Sequence, residues 1–426
     1  MEEAPAPGKG TAVEQPLVAS KSDGPGRLSA VHLALLVSMA HGLTDGYAAF
    51  LPPLLPRLMD RLGLSVALAA ALATILNLAV SLLQPLFGYL GDRFGRRPFV
   101  IAGPLFTGAF LSLIGVTPSF ATLVLLLVLG GLGSAAFHPP GAALAARVEE
   151  GGGSGLRYSF FSFGGTVGFA LGPLAAVGIV SGVGLDGLWL AMIPGLLWAL
   201  VLYRTLPGGS GDRPTHRPPS PLALLRRLRG PLGLIFGVSA AAAFVQRVFL
   251  TMMPIAAAEA GRSEAVGALM LSTYLAAQAV GTVAGGWLAD RMDRRLLLVL
   301  LTLFGLPAHV AAFWLPAGSA GALEMAAAAG FLNMATLPPI VVGAQELVPR
   351  GAAAISGIVM GLAWAAGSLG VLGTGILGDH VGARSASLLS MPLLLVGTLL
   401  ALHPSLSAGH GGSEDDSVGA DPRGSV

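Results

Sequence analysis

His41 and Asp45 stand four residues apart in "SMAHGLTDGYAAFLPPLLP" (38–56), near the start of a long apolar run. Four residues make about one helical turn, so both side chains share one face. A carboxylate beside an imidazole, whose ordinary pKa is about 6.5, can take up and release protons near neutrality. Farther along, "AAAFVQRVFLTMMP" (241–254) puts Arg247 in a second apolar run. A charge near the centre of a membrane helix costs about 2.5–3.5 kcal/mol, and such groups mark ion or substrate paths by default. Asp45, with His41 as relay or tuner, is therefore the candidate proton-coupling site, and Arg247 its candidate counter-charge. A permanent Asp45–Arg247 ion pair that only pins two helices is the structural alternative, as a carbonyl-bonded core histidine is for His41.

Other polar groups in apolar runs offer hydrogen bonds to a cargo: Gln84, Gln246, Asn77 and Asn333. Gln278 reads instead as a group that joins neighbouring helices. His138 precedes Pro139 and Pro140. Two prolines remove backbone donors, so the helix ladder is expected to open there, and His138 can either contact substrate or bond the freed carbonyls.

The elements that must position these groups follow from composition. Over 426 residues, 54% are hydrophobic and 11% charged, with a mean hydropathy of +0.76. That is far too apolar for an ordinary soluble globule. A bilayer core of about 30 Å takes about 20 apolar residues per helix. Punctuation by Arg, Pro and Gly predicts twelve spans, near 30–56, 65–90, 98–116, 119–146, 157–180, 186–205, 230–257, 264–288, 295–315, 319–348, 353–378 and 385–403. The expected fold is an all-α membrane protein of two pseudo-symmetric six-helix bundles, 30–205 and 230–403. A polar, basic linker (206–229) joins them, and polar tails (1–29 and 404–426) read as disordered and cytosolic. The start, Met1-Glu2-Glu3, lacks the basic region of a secretory signal. Cysteine is absent and the net charge is only +2, which leaves no thiolate chemistry and no case for nucleic acid as a partner.

The halves repeat each other. "GYLGDRFGRRPFV" (88–100) answers "GWLADRMDRRLLLV" (286–299), and "FHPPGAALAARV" (137–148) answers "TLPPIVVGAQELV" (336–348). Asp45 and Pro52 share their spacing with Arg247 and Pro254, at an offset of 202. Parallel duplication is a recurrent plan of secondary transporters, with the substrate site between the halves. Asp45 and Arg247 then fall at equivalent depth and are expected to face each other across a central cavity. With both termini inside, nineteen of the 24 Lys and Arg lie on the cytosolic side and four outside. That imbalance fits the positive-inside rule for a cell (inner or plasma) membrane protein.

The loop "GYLGDRFGRRP" resembles the signature of the major facilitator superfamily, and "GWLADRMDRR" sits where that superfamily repeats it. More narrowly, "HGLTDGYAAFLPPLLP", "SLLQPLFGYLGDR", "GSAAFHPPGAALAARV", "GGTVGFALGPL" and "AQELVPRGAAAISGIVMGLAWAAGSLG" resemble the fosmidomycin-resistance group of efflux proteins. The chain departs from that group at Pro140, where an acidic residue is more usual. The resemblance implies a twelve-helix fold, alternating access and export by proton antiport. It also implies that Asp92, Arg93, Gly95, Arg96 and Arg97 latch the cytosolic side in the outward-facing state. Arg147 is expected to join Asp92, and Glu346 to join Arg291 or Arg294, near Asp290 of the second loop. Gly164, Gly168 and Gly172, followed by Pro173, recur every four residues, a spacing that lets helices approach closely. "GFALGP" partly resembles the signature of antiporters in the superfamily.

No G-x-x-x-x-G-K-[ST] phosphate loop occurs and no soluble stretch is long enough for a nucleotide-binding domain, so uphill transport draws on an ion gradient or on partner subunits. No cofactor is expected, and no nucleophile, base and orienter set suggests an enzyme. The leading expectation is a monomeric, proton-coupled exporter of a small molecule or drug, its partners being substrate, protons and the lipid bilayer. A proton-coupled importer of a small organic anion is the alternative, since Arg247 can bind a carboxylate or phosphonate. A transporter-like sensor or assembly protein is the third reading.

Overall fold

The computed structural model describes residues 30–145, 154–206, 228, 230–348, 355 and 358–407. The tail 1–29, Arg147 and nearly all of the linker lie outside the described residues. Among these residues the chain is helical throughout, without strands. The elements are α1 (Ala30–Ala48, resumed as Leu51–Leu62), α2 (Val66–Leu82, resumed as Gln84–Phe94), α3 (Arg97–Ser112), α4 (Phe120–Ala145), α5 (Ser154–Val183) and α6 (Met192–Thr205). The second half holds α7 (Pro231–Glu259), α8 (Glu264–Ala289), α9 (Arg294–Trp314), α10 (Ala320–Ala335, resumed as Leu337–Leu347), α11 (Ala363–Val381) and α12 (Ala383–Ser390, resumed as Leu394–Ala401). Eleven described stretches are long and apolar enough to span a bilayer, and the two segments of α1 make the twelfth crossing.

Proline sets the breaks. It cannot donate to the ladder and it crowds the preceding turn, so a new segment starts with proline in its first turn. This happens at Pro52 in α1, Pro85 in α2 and Pro338 in α10. Pro139 and Pro140 remove two donors from the α4 ladder, yet the helix does not break there: α4 runs as one helix from Phe120 to Ala145 through both prolines. The first span also ends later than 56. Its second segment continues to Leu62, where Gly63 takes a left-handed conformation (φ 64°), so Arg57 and Arg61 are helical residues. At the other end, a 3-10 turn over Pro404–Leu406 buries Leu406, and residues 408–426 lie outside the described residues.

Glycine brings helices together where the polar site is built. A Cβ at Gly168 would lie 1.9 Å from the carbonyl oxygen of Gly42, and one at Gly164 would lie 2.3 Å from that of Ser38. Gly172 meets Gly46 in the same way. The α5 glycines thus let its backbone lie directly on α1, which no larger residue permits.

The halves meet along α2 with α11 and α5 with α8, and α7 also touches the second segment of α1. Midway, Thr74 on α2 donates from Oγ1 to the carbonyl of Ser368 on α11, at 2.9 Å. Toward the end of the molecule that carries Leu62 and Glu259, called the far face here, the ties multiply. Arg57 pairs with Glu264. The Asp379 carboxylate accepts the backbone N–H of Val66 at 2.6 Å and of Ala67 at 3.2 Å, capping α2 from the other half. At the opposite, loop-motif face, the ion pairs among the described residues stay within one half.

Candidate functional site

Asp45 lies in the last turns of the first α1 segment, and both of its carboxylate oxygens are engaged by imidazoles. His41 Nε2 is 3.1 Å from Oδ2, and His138 Nε2, from α4, is 3.1 Å from Oδ1. The first contact follows from the four-residue spacing. The second needs the packing of α1 on α4, which no local pattern encodes. Each imidazole is held from behind: His41 Nδ1 donates to the carbonyl of Phe161 on α5 at 2.8 Å, and His138 Nδ1 to that of Ser134 at 2.7 Å. A carbonyl can only accept, so both Nδ1 atoms carry hydrogen. The Phe161 ring stacks on His41 with centroids 4.0 Å apart, and the two imidazoles meet edge to face at 4.9 Å. Gly165 completes the seat, because a Cβ there would lie 2.4 Å from the His41 ring.

This arrangement has a chemical consequence. Each Nε2 is turned toward a carboxylate oxygen, and a neutral imidazole already protonated on Nδ1 has only a lone pair at Nε2. Two acceptors cannot bond each other. Each of the two gaps is therefore satisfied only by a proton or another positive charge.

The expected Asp45–Arg247 pairing is not made. Arg247 forms no ion pair among the described residues; its guanidinium lies 5.7 Å from the Trp364 ring of α11, and its Nε is buried without a hydrogen-bond partner. The imidazoles of the first half occupy both oxygens of the Asp45 carboxylate, which leaves the guanidinium no place beside it. His138 likewise bonds Ser134 and Asp45 and leaves the carbonyls opposite the prolines alone.

The second half answers with amides. Gln246 on α7 donates to Gln278 on α8 at 3.1 Å, Gln278 donates to Asn333 on α10 at 3.4 Å, and Asn333 donates to the carbonyl of Ala242 at 2.9 Å. Gln246 and Asn333, read from sequence as cargo contacts, thus belong to one buried chain with Gln278 that ties three helices. Asn77 and Gln84 lie on α2, partly buried, and neither makes a side-chain hydrogen bond among the described residues.

At the loop-motif face Gly95 has φ 94°, a conformation that favours glycine. Arg96 donates to Asp92 at 3.1 Å. Arg93 reaches Tyr89, and Arg97 donates to the Tyr203 carbonyl and covers its ring. In the second half Arg294 pairs with Glu346, whereas Arg291 donates to the Trp287 carbonyl and stacks on that ring. Asp290 ends α8 at its C-cap. The expected Asp92–Arg147 contact lies outside the described residues.

Sequence reasoning missed several polar groups. Tyr274 and His309 share a hydrogen bond at 3.1 Å inside the second half, with Phe249 stacked on Tyr274 at 4.2 Å. Histidine in the apolar run of α9 was the available signal. Trp364 and the far-face pair Arg57–Glu264 carried none, since each depends on contacts between distant segments.

Comparison with known proteins agrees with this architecture. The family model of the Major Facilitator Superfamily matches residues 34–371. The chain is 29% identical to the fosmidomycin resistance protein of Escherichia coli (strain K12) over 339 residues, 77% of this chain and 81% of that one. It is 28% identical over 389 residues to the uncharacterized MFS-type transporter YfnC of Bacillus subtilis (strain 168), covering 88% and 93% of the two chains. Among solved structures it resembles a bacterial homolog of the human lysosomal transporter Spinster in its inward-facing, occupied conformation, with TM-score 0.71, 19% identity and coverage of 87% and 95%. The nucleoside transporter NupG superposes with TM-score 0.73 at 14% identity, over 87% of this chain and 99% of that one. Two bundles of apolar helices related by an internal repeat, the paired loop motifs and these matches place the chain in one family: it is an integral membrane transporter belonging to the Major Facilitator Superfamily.

Proposed function

We propose that this transporter exports a small molecule in exchange for protons, by alternating access, as a monomer in the cell membrane with both termini cytosolic. Asp45, His41 and His138 are the coupling site. The observation that carries this reading is the meeting of two imidazoles, each already committed at Nδ1, on the two oxygens of one carboxylate. Each gap closes when a proton enters it and opens when the proton leaves. Side-chain exposures of 20% for Asp45 and 22% for His138 leave a route for that exchange. Closure at the far face by Arg57–Glu264 and Asp379, without an ion pair between the halves at the loop-motif face among the described residues, supports a passage open toward the cytosol. On this reading Asp92 to Arg97 and their counterparts Asp290, Arg291, Arg294 and Glu346 form the cytosolic latch of the opposite state.

Export is favoured over import by the resemblance to a resistance protein. Arg247, without a counterion among the described residues, favours a cargo that carries negative charge, with Trp364 beside it. The test is a proteoliposome carrying an internal pH dye and challenged with a compound panel that includes fosmidomycin. Export requires proton movement opposite to the cargo, abolished by Asp45→Asn. Uptake of a labelled anion together with protons would establish the importer instead, and absence of any flux would leave the sensor reading.

A further inference from the structure

His41 Nε2, His138 Nε2 and the Asp45 carboxylate are ligand atoms that all lie within 4.8 Å of one another. His41 Nε2 lies 3.1 Å from one carboxylate oxygen and His138 Nε2 3.1 Å from the other. A first-row ion bonded to nitrogen and oxygen at about 2.0–2.1 Å sets its ligands about 2.9 Å apart at right angles and about 3.3 Å apart at tetrahedral angles. Each of these two contacts falls between those limits, and the ligand atoms all lie within 4.8 Å of one another, so an ion held by both imidazoles draws them together over the carboxylate. The surroundings fit as well. Metal-bound histidine commonly donates its other ring nitrogen to a carbonyl, which fixes the tautomer and aims the lone pair at the ion. Both histidines do so here, to Phe161 and to Ser134. The stacked Phe161 ring and the close approach at Gly165 hold the His41 ring in that orientation.

We propose that His41, Asp45 and His138 form a binding site for one divalent transition-metal ion of the Zn2+, Co2+ and Ni2+ class. Two imidazoles and one carboxylate suit these borderline ions and not Mg2+ or Ca2+, which take oxygen ligands. Three protein ligands leave a further position open for water or a cargo donor. The ion supplies to both gaps the positive charge that they require, so its occupancy blocks entry of any other cation. This inference rests on the geometry of the three side chains and not on the direction or coupling of transport.

The experiment titrates CoCl2 into tag-free, EDTA-treated protein in detergent and follows the visible absorption of Co2+ with parallel calorimetry. We expect one Co2+ per chain, displaced by Zn2+ and unaffected by a hundredfold excess of Mg2+ or Ca2+. Asp45→Asn and His138→Gln should each weaken binding at least tenfold, whereas replacing the peripheral His32, His380 and His403 together should not change it. X-ray absorption of the wild-type Zn2+ form, expected to show two imidazoles, gives a readout that needs no variant to fold. No saturable binding, or binding that survives Asp45→Asn, overturns the proposal. Proton coupling measured in EDTA separates the readings: coupling without metal binding sinks only the metal site, and metal binding without Asp45-dependent coupling sinks only the transport assignment.

Discussion

Asp45 on α1 and His138 on α4 meet at 3.1 Å inside the first half of the molecule, with His138 anchored at its far nitrogen to the Ser134 carbonyl. This contact joins two helices that a single-helix reading keeps apart, and it separates proton carrying from hydrogen bonding. Glutamine at 138 keeps a donor for the carboxylate but has no titratable nitrogen. His138→Gln is therefore expected to leave the protein folded and to lower proton-linked flux at least tenfold. Dye-loaded proteoliposomes read the flux and size-exclusion chromatography reads the fold; unchanged flux would assign His138 a structural role.

The α1–α5 approach makes a prediction about stability with its own internal control. A Cβ at Gly168 collides with backbone, the Gly42 carbonyl at 1.9 Å, and backbone in a packed helix pair yields only by moving the helix. Overpacking of this kind costs about 1–3 kcal/mol. Gly178 and Gly182 lie on the same helix with nothing within 4 Å of the added atom. Gly168→Ala should lower the thermal midpoint in detergent by several degrees, and Gly178→Ala should not. Gly165→Ala should differ from both, because its Cβ meets the His41 ring and not backbone: its main effect is expected on flux.

Much of this was legible because the bilayer simplifies the code. Apolar runs of about 20 residues have to be helices, and the offset of 202 that relates Asp45 to Arg247 is a property of the string. The His41–Asp45 contact was legible too, being one turn of one helix. What the sequence did not reveal is which partner an intramembrane charge takes when several are near. Equivalent depth suggested Arg247 for Asp45, but the imidazole of α4 is closer, and its position depends on how α1 and α4 pack. The unbroken α4 has a similar lesson. Pro139-Pro140 and Pro338-Pro339 answer each other in the repeat, yet only α10 breaks. The prolines remove ladder donors in both helices, so they do not alone decide whether a helix breaks.

Arg57 and Glu264 form the ion pair that joins the two halves at the far face, beside the Asp379 cap on α2. Because the chain has no native cysteine, the double variant Arg57→Cys and Glu264→Cys can be cross-linked without background. Cross-linking is expected to stop transport and reduction to restore it, read as dye response before and after dithiothreitol. Partly exposed pairs contribute about 0.2–1 kcal/mol, so Glu264→Gln alone should shift the balance toward far-face opening by no more than about fivefold. Transport that continues in the cross-linked protein would show that this face does not open during the cycle.

Arg247 and Trp364 give the last prediction, about cargo. The guanidinium lies against the indole with its centre 5.7 Å from the ring, and its Nε has no hydrogen-bond partner among the described residues. A cation–π contact of this kind contributes about 0.5–2 kcal/mol and keeps the charge oriented without neutralising it. A bound anion can therefore supply the missing partner. Arg247→Gln should raise the half-saturating concentration of anionic compounds about tenfold or more and leave neutral ones nearly unchanged. Trp364→Ala should give a smaller loss in the same direction, and Trp364→Phe should retain most of the affinity, since an aromatic face remains. Arg247→Lys tests the geometry: a lysine keeps the charge but not the planar fork, so partial loss points to oriented recognition and full retention to charge alone. If neutral and anionic compounds weaken equally in Arg247→Gln, the guanidinium serves helix packing and the anion reading of the second half is wrong.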